Sequence, residues 1–198
     1  MTQAEKEYTW DDLRNAVGQD FSDGDVRSSA DPVERGTIRL FCEPFEMDCP
    51  LHYDDEAARA WGYRGVIAPW SSLSSVFSTP PLWRPGEPSL WKSATSEQQG
   101  WGNGLNRPPM PKLPMPKTTV GMATGLEFEF FLPVYVGDRL HQKGRKLVDV
   151  AVAQTRVGFG AFVTFESGIY NQDDALVALQ RVVLFHGNPP QEAQRPPA

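Results

Sequence analysis

The sequence predicts an α+β fold in which short helices pack on one face of an antiparallel sheet. Helix-start signals recur over the first 77 residues, whereas residues 120–186 alternate apolar, β-branched and aromatic side chains as strands do. Between these two parts, residues 79–117 contain half of the 18 prolines and interrupt any helical or strand period. A chain of 198 residues is long enough to bury a core without disulfide bonds.

Four short helices are expected before the proline-rich segment. Each expected start combines a capping residue with acidic residues or a proline in the first turn, except the last, which is a short apolar run after a proline. The expected helices begin at Trp10, near Asp31-Pro32, at Asp54 and at Ser71, and the third ends at Gly62. The apolar face expected for the second helix consists of Ile38, Leu40, Phe41 and Phe45.

Four strands are expected in the second half of the chain, because apolar and β-branched residues there alternate with polar ones. They cover residues 126–131, 146–152, 159–170 and 175–185. The segment Asn171-Gln172-Asp173-Asp174 is expected to form the turn of a hairpin between the last two strands. Four antiparallel strands in succession after the helices are what place the chain in the α+β class.

The proline-rich segment 79–117 is expected to be an ordered lid or arm. It contains Trp83, Trp91 and Trp101, and disordered segments are poor in aromatic residues. A connection of this length inside a domain is usually functional or disordered. The aromatic content favours the functional alternative.

The composition excludes several partners. The net charge of −6 argues against nucleic acid or an anionic membrane as a general partner. Two cysteines, Cys42 and Cys49, cannot form a disulfide framework and have no metal-ligand cluster around them. The polar N-terminus does not resemble a signal peptide, and no apolar run is long enough to span a membrane. We therefore expect a cytoplasmic protein.

Histidine is the side chain best suited to exchange protons near neutral pH, and the chain has three. His141 lies in strand-like sequence just after Asp138-Arg139-Leu140, and His186 lies at the end of the last predicted strand; a structural role is expected for both. His52 differs, because it lies among acidic residues between Pro50 and the expected helix start at Asp54. Two interpretations remain open for His52: a proton-transfer group at a junction between helices, or a solvated side chain beside a helix cap.

Two segments of the chain match a known family. Residues 47–69 read MDCPLHYDDEAARAWGYRGVIAP, close to the pattern D-x-N-P-L-(Y/H)-x-D-x-x-x-A-x-x-x-G-Y-x-G-x-x-A-P. Downstream, GLEFEF at 125–130 and PVYVGDRL at 133–140 match a second family segment. In these residues the chain resembles the MaoC-like enoyl-CoA hydratases and dehydratases, in the branch with an N-terminal MaoC dehydratase-type domain.

The resemblance implies a single hot-dog fold, in which an antiparallel sheet wraps around a central helix. It implies one domain over 1–186, with 79–117 as an insertion. The Pro- and Gln-rich composition of residues 187–198 predicts a disordered tail. It also implies reversible addition of water to a 2-enoyl thioester of coenzyme A. No cofactor or metal is implied, since coenzyme A enters as part of the substrate. The expected partner is a second copy or a second MaoC-like subunit.

By position, His52 corresponds to the catalytic histidine of the family, and Met47 stands where the family has its aspartate. Asp48, one residue later, is the candidate helper. One interpretation is an active hydratase with His52 and Asp48 as catalytic residues. The alternative is a non-catalytic subunit that shapes the acyl channel of a heteromer, with Met47 as a lining residue. A third, a hot-dog acyl-CoA thioesterase, ranks last because residues 71–77 offer no acid.

Two interpretations are open for Trp70, after the A-P pair, and for the tryptophans of the insertion: ordinary core or dimer packing, or a cover for an acyl group. The expected substrate is a thioester with a bulky or aromatic acyl group, since the candidate lining is apolar and aromatic. The candidate substrate-binding residues are Met47, Ala68, Pro69, Trp70, Trp83, Trp91 and Trp101.

Overall fold

The computed structural model of the chain describes residues 6–74, 85–86 and 112–190. Most of the predicted insertion lies outside these residues, and so do Trp83, Trp91 and Trp101. The helices are α1 (Trp10–Asn15), α2 (Arg35–Cys42) and α3 (Asp55–Ala60), with 3-10 helices at Glu43–Phe45, Pro50–His52 and Trp70–Ser74. The strands are β1 (Val26–Ser28), β2 (Val120–Phe130), β3 (His141–Thr155), β4 (Gly158–Tyr170) and β5 (Leu176–Asn188).

The five strands form one antiparallel sheet in the order β1-β3-β4-β5-β2. Directly paired residues share a face of the sheet, so the pairs Leu147–Phe165 and Val150–Val163 point to the same side. All four of these side chains are buried. The α+β class is therefore confirmed. The four long strands overlap the predicted ones, although β2 and β3 begin six and five residues earlier than predicted.

The first helix covers one half of this inner face. Thr9 and Asp12 form a capping box that begins α1 at Trp10, as predicted. The chain after α1 then pairs with β3, because the N–H of Gly18 donates to the carbonyl of Leu147 at 2.8 Å. The resulting core contains Leu13, Ala16, Phe21, Leu147, Val150, Ala161, Val163 and Phe165.

The other half of the inner face carries a second core cluster, which adjoins the candidate site. It is built by α2, the Val66–Ala68 segment and the far ends of the long strands. Its buried members are Val33, Ile38, Cys42, Val66, Ala68, Leu73, Val134, Leu140, Ile169, Val177 and Ala178. Met47, Phe128 and Phe130 pack against it from the edge.

The prediction of a helix start near Asp31-Pro32 is wrong, because α2 begins at Arg35. Val33 donates its N–H to the carbonyl of Asp138 and accepts from the N–H of Gly137, both at 2.8 Å. These long-range bonds hold Val33 outside the helix. The tertiary contact therefore overrides the local signal of the proline.

The predicted apolar face of α2 is correct only in part. Ile38 is fully buried and Cys42, four residues later, is buried beside it. Leu40 and Phe45 are exposed at 64% and 65%. Leu40 lies two positions after Ile38 and so points away from the core side of the helix.

Other elements also differ from the prediction. The sequence analysis missed β1, a three-residue strand that pairs with the start of β3. The last strand continues to Asn188, so Gly187 and Asn188 belong to the sheet rather than to the predicted tail. Within the predicted helix 71–77, the structure has a 3-10 helix at Trp70–Ser74, and residues 75–77 lie outside the described part.

Candidate functional site

His52 lies in a tight turn whose two ends are both fixed by the local sequence. Pro50 occupies the first turn of the 3-10 helix Pro50–His52, where a missing N–H costs nothing. Two residues after His52, the carboxylate of Asp54 accepts the N–H groups of Glu56 and Ala57 at 2.7 and 3.3 Å and so caps α3. The predicted cap is confirmed, and it begins the next helix directly after the histidine.

The imidazole of His52 is half-buried and its Nδ1 lies 2.9 Å from the carbonyl oxygen of Ile67. A carbonyl oxygen only accepts hydrogen bonds, so Nδ1 must carry the proton. In the neutral ring, this leaves Nε2 with a free lone pair that can accept a proton. The bond therefore sets His52 in the tautomer that a general base requires.

The Ile67 segment is itself held by backbone bonds on both sides. The N–H of Ile67 donates to the carbonyl of Leu51 at 3.1 Å, next to the histidine. On the other side, Ile67 forms an antiparallel bridge with Tyr135, and the N–H of Ala68 donates to Val134 at 2.8 Å. The carbonyl that His52 contacts therefore belongs to a backbone segment that is hydrogen-bonded to its neighbours on both sides.

A salt bridge adds a further link between the histidine turn and this segment. Asp55, the first residue of α3, accepts the N–H of Val66 at 2.9 Å and pairs with Arg35 at 2.6 Å. The hydrogen bond from Val66, together with Arg35, holds the pKa of Asp55 below its ordinary value. Arg35 also donates to the carbonyl of Tyr53 at 3.1 Å.

The two candidates at the family's acid position do not join His52 in an acid–base pair. Asp48 is exposed. Met47 is half-buried and packs against the second core cluster. In residues 6–74, 85–86 and 112–190, no carboxylate forms a hydrogen bond or ion pair with His52.

Tyr53 closes the loop in which Met47 and Asp48 lie. Its hydroxyl donates to the carbonyl oxygen of Met47 at 2.8 Å. Met47 also donates its N–H to the carbonyl of Cys42 at 3.2 Å, at the end of α2. Burial raises the pKa of the Cys42 thiol, so this sulfur stays protonated and acts as a packing group.

An apolar wall, made of Trp70, Phe130 and Phe128, adjoins the segment that follows Ile67. Ala68 and Pro69 are buried, whereas the Trp70 side chain is 39% exposed. The Trp70 ring lies 4.6 Å from that of Phe130, and Phe130 stacks on Phe128 at 5.5 Å. Neither phenylalanine was among the predicted lining residues, although both lie on the inner face of β2 in the predicted strand.

The other two histidines have structural surroundings. His141 donates through Nε2 to Asp174 at 3.0 Å and stacks on Tyr170. Burial and the nearby Arg145 lower the pKa of His186, which keeps this ring neutral. The described residues hold no group of three metal-ligating side chains, and none of their helices could span a membrane.

Three features of the site escaped the sequence analysis: the acceptor at Ile67, the salt bridge of Asp55 with Arg35, and the aromatic pair on β2. Only the last had a usable signal, since the alternation of 126–131 already placed Phe128 and Phe130 on one face. The first two depend on contacts between residues 15 and 20 positions apart.

Comparison with known proteins identifies the family and the fold. The chain is 28% identical over 171 residues to "Probable enoyl-CoA hydratase alpha subunit" of Thermomonospora curvata, covering 86% of this chain but only 50% of the relative. The chain therefore spans about half the length of that curated relative.

Two solved structures have the same fold. One is the ChsH1-ChsH2 complex from Mycobacterium tuberculosis, with a TM-score of 0.63, 22% identity and coverage of 90% of this chain and 98% of that chain. The other is the MaoC-like dehydratase from Rhodospirillum rubrum, with a TM-score of 0.50, 24% identity and coverage of 84% and 94%. These likenesses confirm the predicted hot-dog fold.

A protein-family model described as "FAS1-like, dehydratase domain region" matches residues 15–180, which include His52, the Ile67 segment, the strands β2 to β4 and the start of β5. The resemblance inferred from residues 47–69 and 125–140 is therefore correct. The chain belongs to this FAS1-like dehydratase family, with the hot-dog fold of the MaoC-like hydratases and dehydratases.

Proposed function

We propose that the chain is a subunit of a hydratase or dehydratase that acts on 2-enoyl and 3-hydroxyacyl thioesters, with His52 as its proton-transfer group. The observation that carries the proposal is the 2.9 Å bond from Nδ1 of His52 to the carbonyl oxygen of Ile67. It leaves the Nε2 lone pair of the neutral ring free to accept a proton. His52 also lies at the position of the family's catalytic histidine in the pattern at residues 47–69.

One imidazole can complete the hydration by itself. Nε2 removes a proton from water while the water oxygen bonds to the β-carbon, and the electron pair of the double bond moves toward the thioester carbonyl to form an enolate. Nε2 then delivers the same proton to the α-carbon. One water is added, the imidazole returns to its neutral form, and dehydration follows the reverse course.

The missing acid predicts a slow reaction for the isolated chain. A carboxylate beside water would share the proton transfer, and general acid–base groups contribute about 10²–10⁴-fold each. Met47 supplies no such group, and Asp48 makes no bond to His52. We therefore propose Asp48 only as a helper in an assembly whose partner brings the loop into contact with substrate.

The substrate that we propose is a thioester of coenzyme A with a bulky or aromatic acyl group. Its support is the apolar wall made by Trp70, Phe130 and Phe128, with Met47 packed nearby. Apolar and aromatic walls with few polar groups are typical of pockets for such ligands. Trp83, Trp91 and Trp101 lie outside the described residues and stay candidate contacts.

A second candidate function is the acyl-channel half of a heteromer, whose acid–base pair belongs to another hot-dog subunit. Met47 favours it, because an apolar side chain takes the place of the family's acid. Two relatives are consistent with it: one structure with this fold is a complex of ChsH1 and ChsH2, and the curated relative has twice the length covered here. We therefore propose an assembly with a second MaoC-like subunit or a second copy.

The first experiment follows hydration of a series of enoyl-CoA esters by the loss of the enoyl thioester absorbance. His52→Ala should reduce kcat by at least about 100-fold, the contribution expected of a general base. His141→Ala is the matched control, since this histidine pairs with Asp174 outside the site. Wild-type activity in His52→Ala would remove His52 from the mechanism.

The second experiment separates the two candidate functions. Met47→Asp should raise kcat if the chain has its own hydratase site, because it restores the family's acid five residues before His52. It should leave the rate unchanged if the active centre belongs to another subunit. The mass of the purified chain gives an independent answer, since a stable and active homodimer contradicts the heteromer.

A further inference from the structure

The direction of the His52 ring depends on where the carbonyl of Ile67 lies. Ile67 is the residue after Val66, and the N–H of Val66 donates to Oδ1 of Asp55 at 2.9 Å. Asp55 comes three residues after His52. The carboxylate therefore connects the segment that carries the acceptor to the helix that begins just after the histidine.

Arg35 completes a closed ring around the histidine turn. Its Nη2 lies 2.6 Å from Oδ2 of Asp55, and its Nη1 donates to the carbonyl of Tyr53 at 3.1 Å. One guanidinium thus binds both the residue after His52 and the carboxylate that holds Val66. The fork of an arginine suits such paired contacts, because its donors have a fixed geometry.

Gly65 leaves room for this close approach. A Cβ at Gly65 would lie 3.0 Å from Oδ1 of Asp55, which is tighter than an ordinary van der Waals contact. With glycine there, the carboxylate reaches the N–H of Val66 without displacement. Position 65 therefore controls how well Asp55 can hold the segment.

The ion pair is too exposed to act chiefly as a source of stability. The side chains of Arg35 and Asp55 are 47% and 38% exposed, and exposed pairs add little to the free energy of folding. Their bonds nevertheless end on the backbone on both sides of the His52–Ile67 contact. Their main effect should therefore be on the geometry of that contact.

We propose that Asp55, together with Arg35, is a positioning residue for His52: it holds the Val66–Ile67 segment so that the Ile67 carbonyl keeps the imidazole in the Nδ1–H tautomer. The assignment of a catalytic benefit rests on the proposed function of His52, whereas the effect on the tautomer does not. Asp55 touches no reacting atom and acts only through the backbone.

The test compares four variants of the full chain: Asp55→Ala, Asp55→Asn, Gly65→Ala and Glu56→Ala. The ¹⁵N spectrum of the His52 ring reports the tautomer, and enoyl-CoA hydration reports kcat and KM. Asp55→Ala should mix the two tautomers and reduce kcat about tenfold, with KM within about twofold of wild type. Asp55→Asn keeps an acceptor for Val66 but loses the charge pair, so its effect should be smaller.

Glu56→Ala is the matched control, since Glu56 is the neighbouring acid in the same helical turn and forms no side-chain hydrogen bond or ion pair among the described residues. It should leave the spectrum and kcat unchanged. Gly65→Ala should change the His52 spectrum and kcat in the same direction as Asp55→Ala. It replaces Asp55→Ala in the test if that variant does not fold.

An unchanged His52 spectrum in folded Asp55→Ala, or in Gly65→Ala if the former does not fold, would overturn the proposal whatever the activity. A wild-type chain without hydratase activity, whose spectrum still responds to Asp55→Ala, would overturn the proposed function and support the positioning. A spectrum that responds equally to Glu56→Ala would also overturn the proposal, because it would indicate a general effect of helix charge.

Discussion

Arg64 and Asp138 are 74 residues apart in sequence, yet Nη2 of the arginine lies 2.5 Å from Oδ1 of the aspartate. The Asp138 side chain is only 3% exposed. It also accepts the backbone N–H of Tyr135 at 2.8 Å and the amide of Gln172 at 3.3 Å. This buried carboxylate connects the strip that pairs with Ile67 to the hairpin turn between β4 and β5.

Asp138→Ala should destabilise the chain by about 2 kcal/mol, because it removes a buried carboxylate that accepts the N–H of Tyr135 and leaves that donor without its acceptor, whereas Arg64 is 60% exposed and stays solvated. The measurement is the free energy of unfolding in urea. Arg14→Ala is the control, since its pair with Asp11 is exposed and should contribute less than about 1 kcal/mol. Equal losses for the two variants would contradict a special role for Asp138.

Trp70→Ala should change the preference for acyl groups if Trp70 and Phe130 line the proposed substrate site. We expect kcat/KM for a bulky enoyl thioester to fall about tenfold, or ~1.4 kcal/mol, while a short-chain substrate changes little. Trp61→Ala is the control, because Trp61 directly follows the C-terminal end of α3 and its side chain is 76% exposed. A uniform loss for all chain lengths would place Trp70 outside the specificity site.

Gly160→Ala should disrupt the sheet. A Cβ there would lie 2.1 Å from the carbonyl oxygen of His186 on the neighbouring strand, which has no room to move. The expected loss in the free energy of unfolding is about 3 kcal/mol. Gly121→Ala, whose Cβ would meet only the His186 ring at 3.6 Å, should stay within about 1 kcal/mol of wild type.

The ion pair of Asp55 predicts a specific sensitivity to acid. The bond from Val66 and the charge of Arg35 hold the pKa of Asp55 below its ordinary value of 3.8. The unfolded chain therefore binds this proton first as the pH falls, so stability is present above the ordinary pKa and is lost below it. In urea titrations between about pH 5 and pH 2, Asp55→Asn should lose less stability than wild type. An identical slope would contradict the assignment.

Helix caps and strands were predictable because their signals are local. Thr9 with Asp12, and Asp54 with the N–H groups that follow it, form complete motifs within four residues. The alternation in β4 likewise needs no knowledge of the rest of the chain. Such elements can be identified from residue types and spacing alone.

The rest depended on contacts between distant segments. Pro32 would begin a helix in isolation, but Val33 is bound to Asp138 and Gly137 instead. The tautomer of His52 depends on a carbonyl 15 residues away, which any residue type could supply. No pattern of side chains encodes such a partner, and the sequence could therefore identify the histidine but not its state.

The oxygen that orients His52 belongs to a peptide bond, so residue 67 can be exchanged for another amino acid without removing it. The tautomer of the ring therefore depends on the path of the main chain. The contact that orients His52 does not use the side chain at position 47. The residue type at position 47 therefore does not by itself report whether the histidine keeps this orientation.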